Sequence, residues 1–338
     1  MKIRLARTAA EMDTFRPAWD YLHASAASAT LFQSFAWNRL AAECFAGREQ
    51  PHVIFAESDS GAAIIPAAIN RGGLVLLGES LFDYRDMLSV GDEEPLHAAW
   101  AELASLQLPL HITALRGRPA AVWEELAPAP WVTAPRATTR DITADAFAAA
   151  HPRLGRYVRR LARGGVELHR RCGSAVALVR RFYRAKAAQF AGAPNNLFAD
   201  PVRVDFMAAA AAMDPAACEI FTFEAGSRVV AGLVTFRDCA EERSESPGHT
   251  EPARRDVRRF YTVYFDRAWA HYSPGTALCF EVTRRSLTEG LDCDFMTGEQ
   301  PHKRRLMTSS VSLFRIEATA EMIARAAHIL EPATRLAA

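Results

Sequence analysis

The segment Trp269–Gly290, WAHYSPGTALCFEVTRRSLTEG, decides how this chain is interpreted, together with LDCDFMTGEQPHKRR at residues 291–305. A helix is predicted to begin at Ser273–Thr276, because serine is a preferred N-cap, proline suits the first helical position and glycine adds no side chain. The first acidic residue after this start is Glu281. An uncharged helix start leaves N–H groups and the positive end of the helix dipole available to an anion. An ordinary capped helix without a ligand has the same sequence signature, so both interpretations stay open.

The corresponding helix start in the N-terminal half has the opposite charge pattern. Asp92, Glu93 and Glu94 precede a helix predicted at about Pro95 to Gln107. These carboxylates suit the helix dipole but would repel a phosphate. The difference predicts at most one phosphate site per chain, in the second half.

Length and composition bound the class of protein. A chain of 338 residues, half of them hydrophobic and with a formal charge of +1, predicts two globular domains and gives no global electrostatic case for nucleic acid. Six scattered cysteines without a CxxC pair indicate reduced thiols. The reduced thiols predict a cytoplasmic protein, as does the lack of a signal peptide and of an apolar run long enough to span a membrane. Lys2, Lys186 and Lys303 are the only lysines among forty basic residues, which we attribute to coding bias.

The predicted elements follow the same order in both halves: helices, apolar strands, then a helix and a strand. The first half opens with an amphipathic helix at about Ala10–Ala27 and a second helix capped by Ser34. We predict a mixed α/β fold with domains at residues 1–150 and 151–338, each a mixed sheet flanked by helices. The polar segment 239–258 is predicted to be a solvated, mobile hairpin extension.

Motifs in both halves resemble the CelD-like acyltransferases, which are double-domain relatives of the GNAT N-acetyltransferases and of the Fem aminoacyl transferases. In the first half the matching stretches are FQSFAW at Phe32–Trp37 and DYRD at Asp83–Asp86. In the second half the matching positions are Tyr272, Ser273, Pro274, Gly275, Gly290, Asp294, Gly298, Glu299 and Lys303. The resemblance covers most of the chain, with His302 standing where the family usually has tyrosine.

The resemblance implies two tandem GNAT-like domains, of which the first is degenerate and faces the acceptor. It implies direct transfer of an acyl group from acyl-CoA to an amine, without a metal or a covalent enzyme intermediate, in envelope polysaccharide or small-metabolite biosynthesis. Alternative donors are acyl carrier protein and aminoacyl-tRNA. We disfavour tRNA because the chain is near neutral and lacks the helical-hairpin insertion of many Fem enzymes. A pure binding module is a third interpretation.

Site residues follow from combining the motifs with this chemistry. The donor diphosphate is assigned to Tyr272, Ser273, Pro274, Gly275 and Thr276. Direct attack needs a base, for which we favour Asp294 or Glu299, with Lys303 as partner or anion contact. Strand alternation in LDCDFM puts Asp294 on the polar face near the strand end, where a substrate would meet it. A structural hydrogen bond is the alternative role for Asp294.

Acceptor-binding candidates lie in loops and on one helix. Asp83, Tyr84, Asp86 and Gln33 are expected to face a cleft between the domains, although a solvated turn is equally compatible with Asp83–Asp86. Tyr183, Lys186 and His302 are further candidates in the second half, and a basic helix around RYVRRLARGG offers a partner-binding face.

Overall fold

The structure, a computed structural model, describes eight stretches of the chain: residues 1–26, 29–79, 81–116, 126, 128–172, 176–194, 196–241 and 254–330. Two sequence predictions therefore fall mostly outside it. These are a short helix near Pro119–Leu126 and the central part of the extension at 239–258.

The described residues form two compact units. Unit 1 takes in the described residues up to 132 and from 312 onwards, and unit 2 takes in most of those between 133 and 311. The last strand and helix thus pack with unit 1 rather than with the unit that precedes them in sequence. The assignment of separate domains to residues 1–150 and 151–338 stays a prediction.

Unit 1 is a mixed sheet with helices on both faces. Its strands are β1 (Lys2–Ala6), β2 (Gln50–Glu57), β3 (Gly61–Asn70), β4 (Gly73–Leu76), β5 (Leu88–Gly91), β6 (Leu110–Arg116) and β13 (Ser309–Ala318). They lie in the order β1-β2-β3-β4-β6-β13, with β5 paired to β3. The β4–β6 pair is parallel, and β1–β2, β2–β3 and β6–β13 are antiparallel. The helices are α1 (Ala9–Met12), α2 (Arg16–Ser25), α3 (Phe35–Cys44), α4 (Glu94–Ala104) and α11 (Ala320–Leu330).

Alternation along β2 explains why both faces of this sheet are covered. Val53 and Phe55 pack with the apolar face of α2, whereas Ile54 packs with α4 and α11. Successive side chains of a strand point to opposite faces, so an apolar run buries both. The predicted apolar face of the first helix, Phe15, Trp19 and Leu22, is buried as expected. The predicted single helix is divided by a 3₁₀ turn at Asp13–Phe15.

Unit 2 is a second mixed sheet flanked by helices. Its strands lie in the order β7 (Ala129–Ala137), β12 (Asp292–Asp294), β11 (Arg254–Phe265), β10 (Arg228–Glu241), β9 (Cys218–Ala225) and β8 (Val166–Cys172). Within this unit the β11–β12 pair is parallel, and the β7–β12, β9–β10 and β8–β9 pairs are antiparallel. The helices are α5 (Ala144–Ala150), α6 (Pro152–Arg163), α7 (Val176–Gln189), α8 (Pro201–Met213), α9 (Pro274–Thr288) and α10 (Pro301–Leu306). The predicted mixed α/β fold is confirmed.

Strands β11 and β12 stay together over three register pairs and then separate. The last pair is Arg259 with Asp294, after which β12 ends while β11 continues to Phe265. The Asp294 carboxylate accepts the backbone N–H of Met296 at 2.8 Å, and Met296 has φ of +63°. This left-handed turn directs the chain away from β11. The C-terminal half of β11 therefore extends beyond its parallel neighbour.

Two consecutive arginines fix this region by facing opposite sides of β11. Arg259 donates to Asp238 at 2.7 Å and to Asp294 at 2.6 Å, and it is fully buried. Arg258, also fully buried, donates to Glu219 at 2.7 Å and to Glu289 at 3.1 Å. A buried charge is tolerated only when it is paired and hydrogen-bonded, because desolvating a lone charge is very unfavourable.

We expect Asp294→Asn to destabilise the protein by about 3 kcal/mol, because it leaves the buried Arg259 without its carboxylate at the end of β12. Urea unfolding followed by far-UV circular dichroism measures the loss. The matched control is Asp205→Asn, which removes an exposed pair with Arg180 and should change the unfolding free energy by less than about 0.5 kcal/mol. Equal effects of the two substitutions would contradict a special role for the buried pair.

Candidate functional site

A cavity of about 300 Å³ opens at the start of α9 in unit 2. Its lining includes Lys186, Phe190, Val263, Phe265, Thr276 and His302. Ser273, Pro274 and Gly275 complete the wall at the start of the helix. The cavity thus lies against the part of β11 that extends beyond β12. Among the described residues that line it there is no carboxylate.

The start of α9 is open, but not in the way the sequence predicts. Ser273 occupies the N-cap position with φ +47° and ψ +51°, and its side chain makes no capping hydrogen bond. The prediction that the Ser273 side chain caps this helix is therefore wrong, because the left-handed backbone turns that side chain away from the first turn. Ala277 N–H donates to the Ser273 carbonyl at 3.0 Å. Within the described residues, no protein group is recorded as accepting from the N–H of Gly275 or Thr276.

Gly275 keeps the helix start close to β11. A Cβ atom at this position would lie 3.2 Å from Val263 Cγ1 and 3.4 Å from Phe265 Cδ1. The first distance is tighter than ordinary van der Waals contact, so a larger residue would displace the cavity wall. Close packing, and not an unusual φ angle, therefore favours glycine at this position.

Lys186 brings an amine into the cavity. Its Nζ donates to the Val263 carbonyl at 2.9 Å and lies 4.2 Å from the centre of the Phe198 ring. Burial, and then the positive charge of Lys303, lower the pKa of Lys186 to about 8. A half-buried ammonium among N–H donors favours a negatively charged ligand.

His302 faces the same cavity as a neutral imidazole. Burial, and then the charges of Lys303, Lys186 and Arg305, lower the pKa of His302 to about 4. Lys303 lies behind it, where Nζ donates to the Thr297 carbonyl at 2.6 Å and the Met296 carbonyl at 3.4 Å. Lys303 therefore contributes positive charge to the cavity but is not among its lining residues.

The two candidate bases lie away from the cavity lining. Asp294 is fully buried and paired with Arg259, with Arg136 at 3.6 Å. The accessibility that strand alternation predicts for Asp294 is not observed, because both faces of β12 are covered. Glu299 is exposed, accepts a hydrogen bond from Thr133 Oγ1 at 3.1 Å and pairs with Arg304.

The remaining candidates of unit 2 are mostly packing residues. Tyr183 is buried, with its ring edge-on to Phe198. Tyr272 packs against the ring of His271 at a centroid distance of 3.9 Å with the two rings tilted by 47°, and it is half-buried without lining the cavity. Cys279 is buried, and burial raises the pKa of its thiol to about 12, outweighing the helix dipole.

The candidates of unit 1 form a local network. Gln33 is buried, accepts from the N–H of Thr30 at 3.0 Å and donates Nε2–H to the Tyr84 carbonyl at 3.1 Å. Tyr84 is fully buried against Phe32. Asp86 is half-buried, and burial raises its pKa to about 7 even though its carboxylate accepts the N–H of Met87. Gln33 and Tyr84 thus hold the loop that carries Asp86.

Sequence reasoning did not assign to the site the side chains of β11 that form the wall of the cavity. Val263 and Phe265 alternate in FYTVYF, which predicts that they share one face, and this signal would have placed them near the helix start that follows. The sequence did not predict that Phe190, just after α7, would be exposed, because an apolar side chain at this position ordinarily indicates burial. The buried arginines of β11 were also missed, since RR in a polar stretch ordinarily indicates a solvated surface.

The C-terminal part of the chain matches a known family. Residues 149–244 and 248–304 match the family described as an acetyltransferase (GNAT) domain. No curated protein matches the sequence. The family match shows a GNAT-type acyltransferase in this part of the chain, while the CelD-like subdivision stays a prediction.

Solved structures share the fold over nearly the whole chain. The C-terminal domain of a putative lysylphosphatidylglycerol synthetase from Agrobacterium fabrum is 11% identical with a TM-score of 0.57, over 97% of this chain and 98% of that one. FemX is 9% identical with a TM-score of 0.56, over 93% and 97%. L-PGS from Bacillus licheniformis is 10% identical with a TM-score of 0.52, over 96% and 98%. At such identities the likeness shows a shared fold and not a substrate.

Two further properties concern only the residues that the structure describes. No helix there has both the length and the apolar content to cross a bilayer. No cluster of three or more histidine, cysteine, aspartate or glutamate side chains in that part is arranged to hold a metal ion.

We expect His302 to titrate with a midpoint near pH 4 in the folded protein, measured by NMR of the imidazole resonances. Its ordinary pKa near 6.5 applies in the unfolded chain, so the unfolded state binds more protons between about pH 6.5 and 4. Native stability should therefore fall as the pH decreases through that window. In His302→Gln this part of the pH dependence should disappear, and a titration midpoint near 6.5 in the wild type would contradict the burial of the imidazole.

Proposed function

We propose that the protein is an N-acyltransferase that takes an acyl group from acyl-CoA and transfers it to an amine. The observation that carries this proposal is the cavity at the start of α9, where Ser273 makes no side-chain cap. Among the described residues that line this cavity there are backbone N–H donors and Lys186, and there is no carboxylate. The GNAT-type family match over the same residues supports it.

The donor diphosphate is proposed to bind at Gly275 and Thr276. A helix N-terminus carries about half a positive charge, and its first N–H groups point toward a bound anion. The ammonium of Lys186 lies in the same cavity and adds a full positive charge below its pKa of about 8. The apolar wall of Val263 and Phe265 suits the uncharged arm that joins a diphosphate to a thioester.

The chemical step requires a neutral amine, an aligned thioester and a route for one proton. Attack of the amine nitrogen on the thioester carbonyl forms the C–N bond, and breaking the C–S bond releases a thiol that takes up the proton. Asp294, Glu299 and Lys303 stay proposed catalytic residues. The buried pairing of Asp294 with Arg259 favours an indirect role, in which it fixes the strand end beside the cavity.

The acceptor is proposed to bind residues of the loop that Gln33 and Tyr84 hold in place. Asp86 has a pKa raised to about 7, which suits a group that accepts a proton from an ammonium near neutral pH. Asp83 is half-buried in the same loop. An amine on an envelope saccharide or a small metabolite is the proposed acceptor, and Tyr183 and His302 remain candidates for contacts on the donor side.

A second candidate is transfer from a donor carried by an anionic macromolecule, either aminoacyl-tRNA or acyl carrier protein. The observation that favours it is one face of α6, with exposed Arg156, Arg159, Arg160 and Arg163. For these four side chains no ion pair is recorded among the described residues. FemX and the lysylphosphatidylglycerol synthetase domain share the fold, which is compatible with this candidate.

We expect Ser273→Asp to weaken the binding of CoA by at least about tenfold while leaving the melting temperature of the free protein unchanged or raised. A carboxylate at the start of α9 stabilises the helix dipole but repels a diphosphate. The control is Ser273→Asn, which has nearly the same shape, tolerates the left-handed backbone and is neutral. Isothermal titration with CoA and thermal unfolding measure both effects. Tight CoA binding by Ser273→Asp would place the donor elsewhere.

The second candidate has its own test on the α6 face. We expect the triple variant Arg156→Gln, Arg160→Gln and Arg163→Gln to bind CoA like the wild type. If a charged tRNA is the donor, the wild type instead binds tRNA with a steep dependence on salt, and the triple variant loses roughly one unit of slope for each phosphate contact removed. Filter binding between low and physiological salt distinguishes the two donors.

A further inference from the structure

Lys186 is the only amine among the described residues that line the cavity. The chain has just two other lysines, Lys2 and Lys303. Lys2 is exposed and pairs with Glu57 at 3.1 Å, whereas Lys303 donates to backbone carbonyls behind the cavity. An acyl thioester held in the cavity would therefore meet a single side-chain amine among the described lining residues.

The surroundings of Lys186 favour its uncharged, nucleophilic form. The groups that face it are the ammonium of Lys303 from α10, the thiol of Cys279 from α9 and the neutral imidazole of His302. None of the described residues that line the cavity has a carboxylate that could hold a proton on Lys186. With its pKa lowered to about 8, roughly a tenth of the Lys186 population is a free amine at pH 7, against about one in three thousand for an ordinary lysine.

The Nζ position is also held in place. Its hydrogen bond to the Val263 carbonyl needs only one N–H, so the bond persists in the neutral amine and leaves a lone pair free. The Phe198 ring beside it limits rotation of the side chain. A neutral amine whose position is fixed in this way meets the positional requirement of aminolysis for a thioester that comes within reach of Nζ.

We propose that Lys186 is a self-acylation site, where its own Nζ attacks the acyl thioester bound in the cavity. The Nζ–C bond forms, the thioester C–S bond breaks, and the proton lost from the nitrogen passes to the thiolate, so that one acyl-CoA gives one acyl-lysine and one CoA thiol. This inference rests on the proposed function, since it requires a thioester donor in this cavity.

Acylation of Lys186 would close the site to further donor. It removes the positive charge that attracts the diphosphate, and it adds the acyl group to a cavity of about 300 Å³. The modified protein should therefore bind CoA at least tenfold more weakly than the unmodified protein. Lys186→Gln, which resembles the neutral acylated side chain, should show a similar loss.

The experiment is incubation of the full chain with acetyl-CoA, followed by peptide mass spectrometry of all three lysines. We expect Lys186 to be acetylated at least tenfold faster than Lys2, which reports ordinary surface reactivity, and excess free CoA to suppress the reaction at Lys186 alone. The rate at Lys186 should level off above about pH 8, whereas the rate at Lys2 should continue to rise.

Control variants separate this inference from the proposed function. In Ser273→Asp, the reaction of Lys186 with acetyl-CoA should fall, while labelling of the same amine by trinitrobenzenesulfonate, which needs no diphosphate site, should persist. Lys186→Arg should remain folded and show no acetylation at residue 186. If CoA binds and Lys186 is acetylated no faster than Lys2, self-acylation is overturned and the donor site stands. If CoA does not shift the melting temperature at all, the donor site itself is overturned.

Discussion

The buried ion pair between Arg259 and Asp294 is the constraint on which the candidate site depends. It joins the last register pair of β11 and β12, and both side chains are fully buried. Because the pair holds the end of β12, the chain can turn at Met296 while β11 extends beyond β12 toward α9. The cavity lies against this part of β11. The point at which β12 separates from β11 therefore determines which residues of β11, Val263 and Phe265, form its wall.

Charge is distributed so that negative groups of unit 2 are held by arginines away from the cavity. Glu219 and Glu289 bind Arg258, Glu281 binds Arg284 and Arg285, and Asp294 binds Arg259. The described residues that line the cavity instead contribute hydrogen-bond donors and positive charge. These are the N–H donors at the start of α9 and Lys186, next to the neutral imidazole of His302. Pairing elsewhere thus leaves a positive potential at one place in a chain whose net charge is close to zero.

The sequence predicted the elements with strong local signals. Ser34 caps α3 as its pattern indicates, since its side chain accepts the N–H of Trp37, and the apolar face of the first helix is buried. Prediction from the sequence failed for elements whose formation depends on contacts with distant parts of the chain. Strand β13 forms because β6 lies beside it, and its residues are separated from β6 by nearly two hundred positions. Strand β1 was missed because its charged residues mask a short edge strand that pairs with β2.

The site shows the same division between local and distant causes. An open helix start at Ser273–Thr276 was predictable from side-chain types, but the left-handed conformation of Ser273 was not, because it depends on how the preceding 3₁₀ turn, Arg267–Tyr272, meets the helix. Alternation suggested an accessible Asp294, yet this side chain is fully buried and lies beside Arg259 of β11 and Arg136 of β7, which the local pattern does not contain.

The pairing of Arg259 with Asp294 also restricts how this sequence can diverge. A change at either position alone removes one half of a fully buried pair, and the charge that stays keeps only its second partner, Asp238 for Arg259 or Arg136 for Asp294. Positions 259 and 294 should therefore covary among homologues, with intermediates that hold only one of the two charges rarely surviving selection.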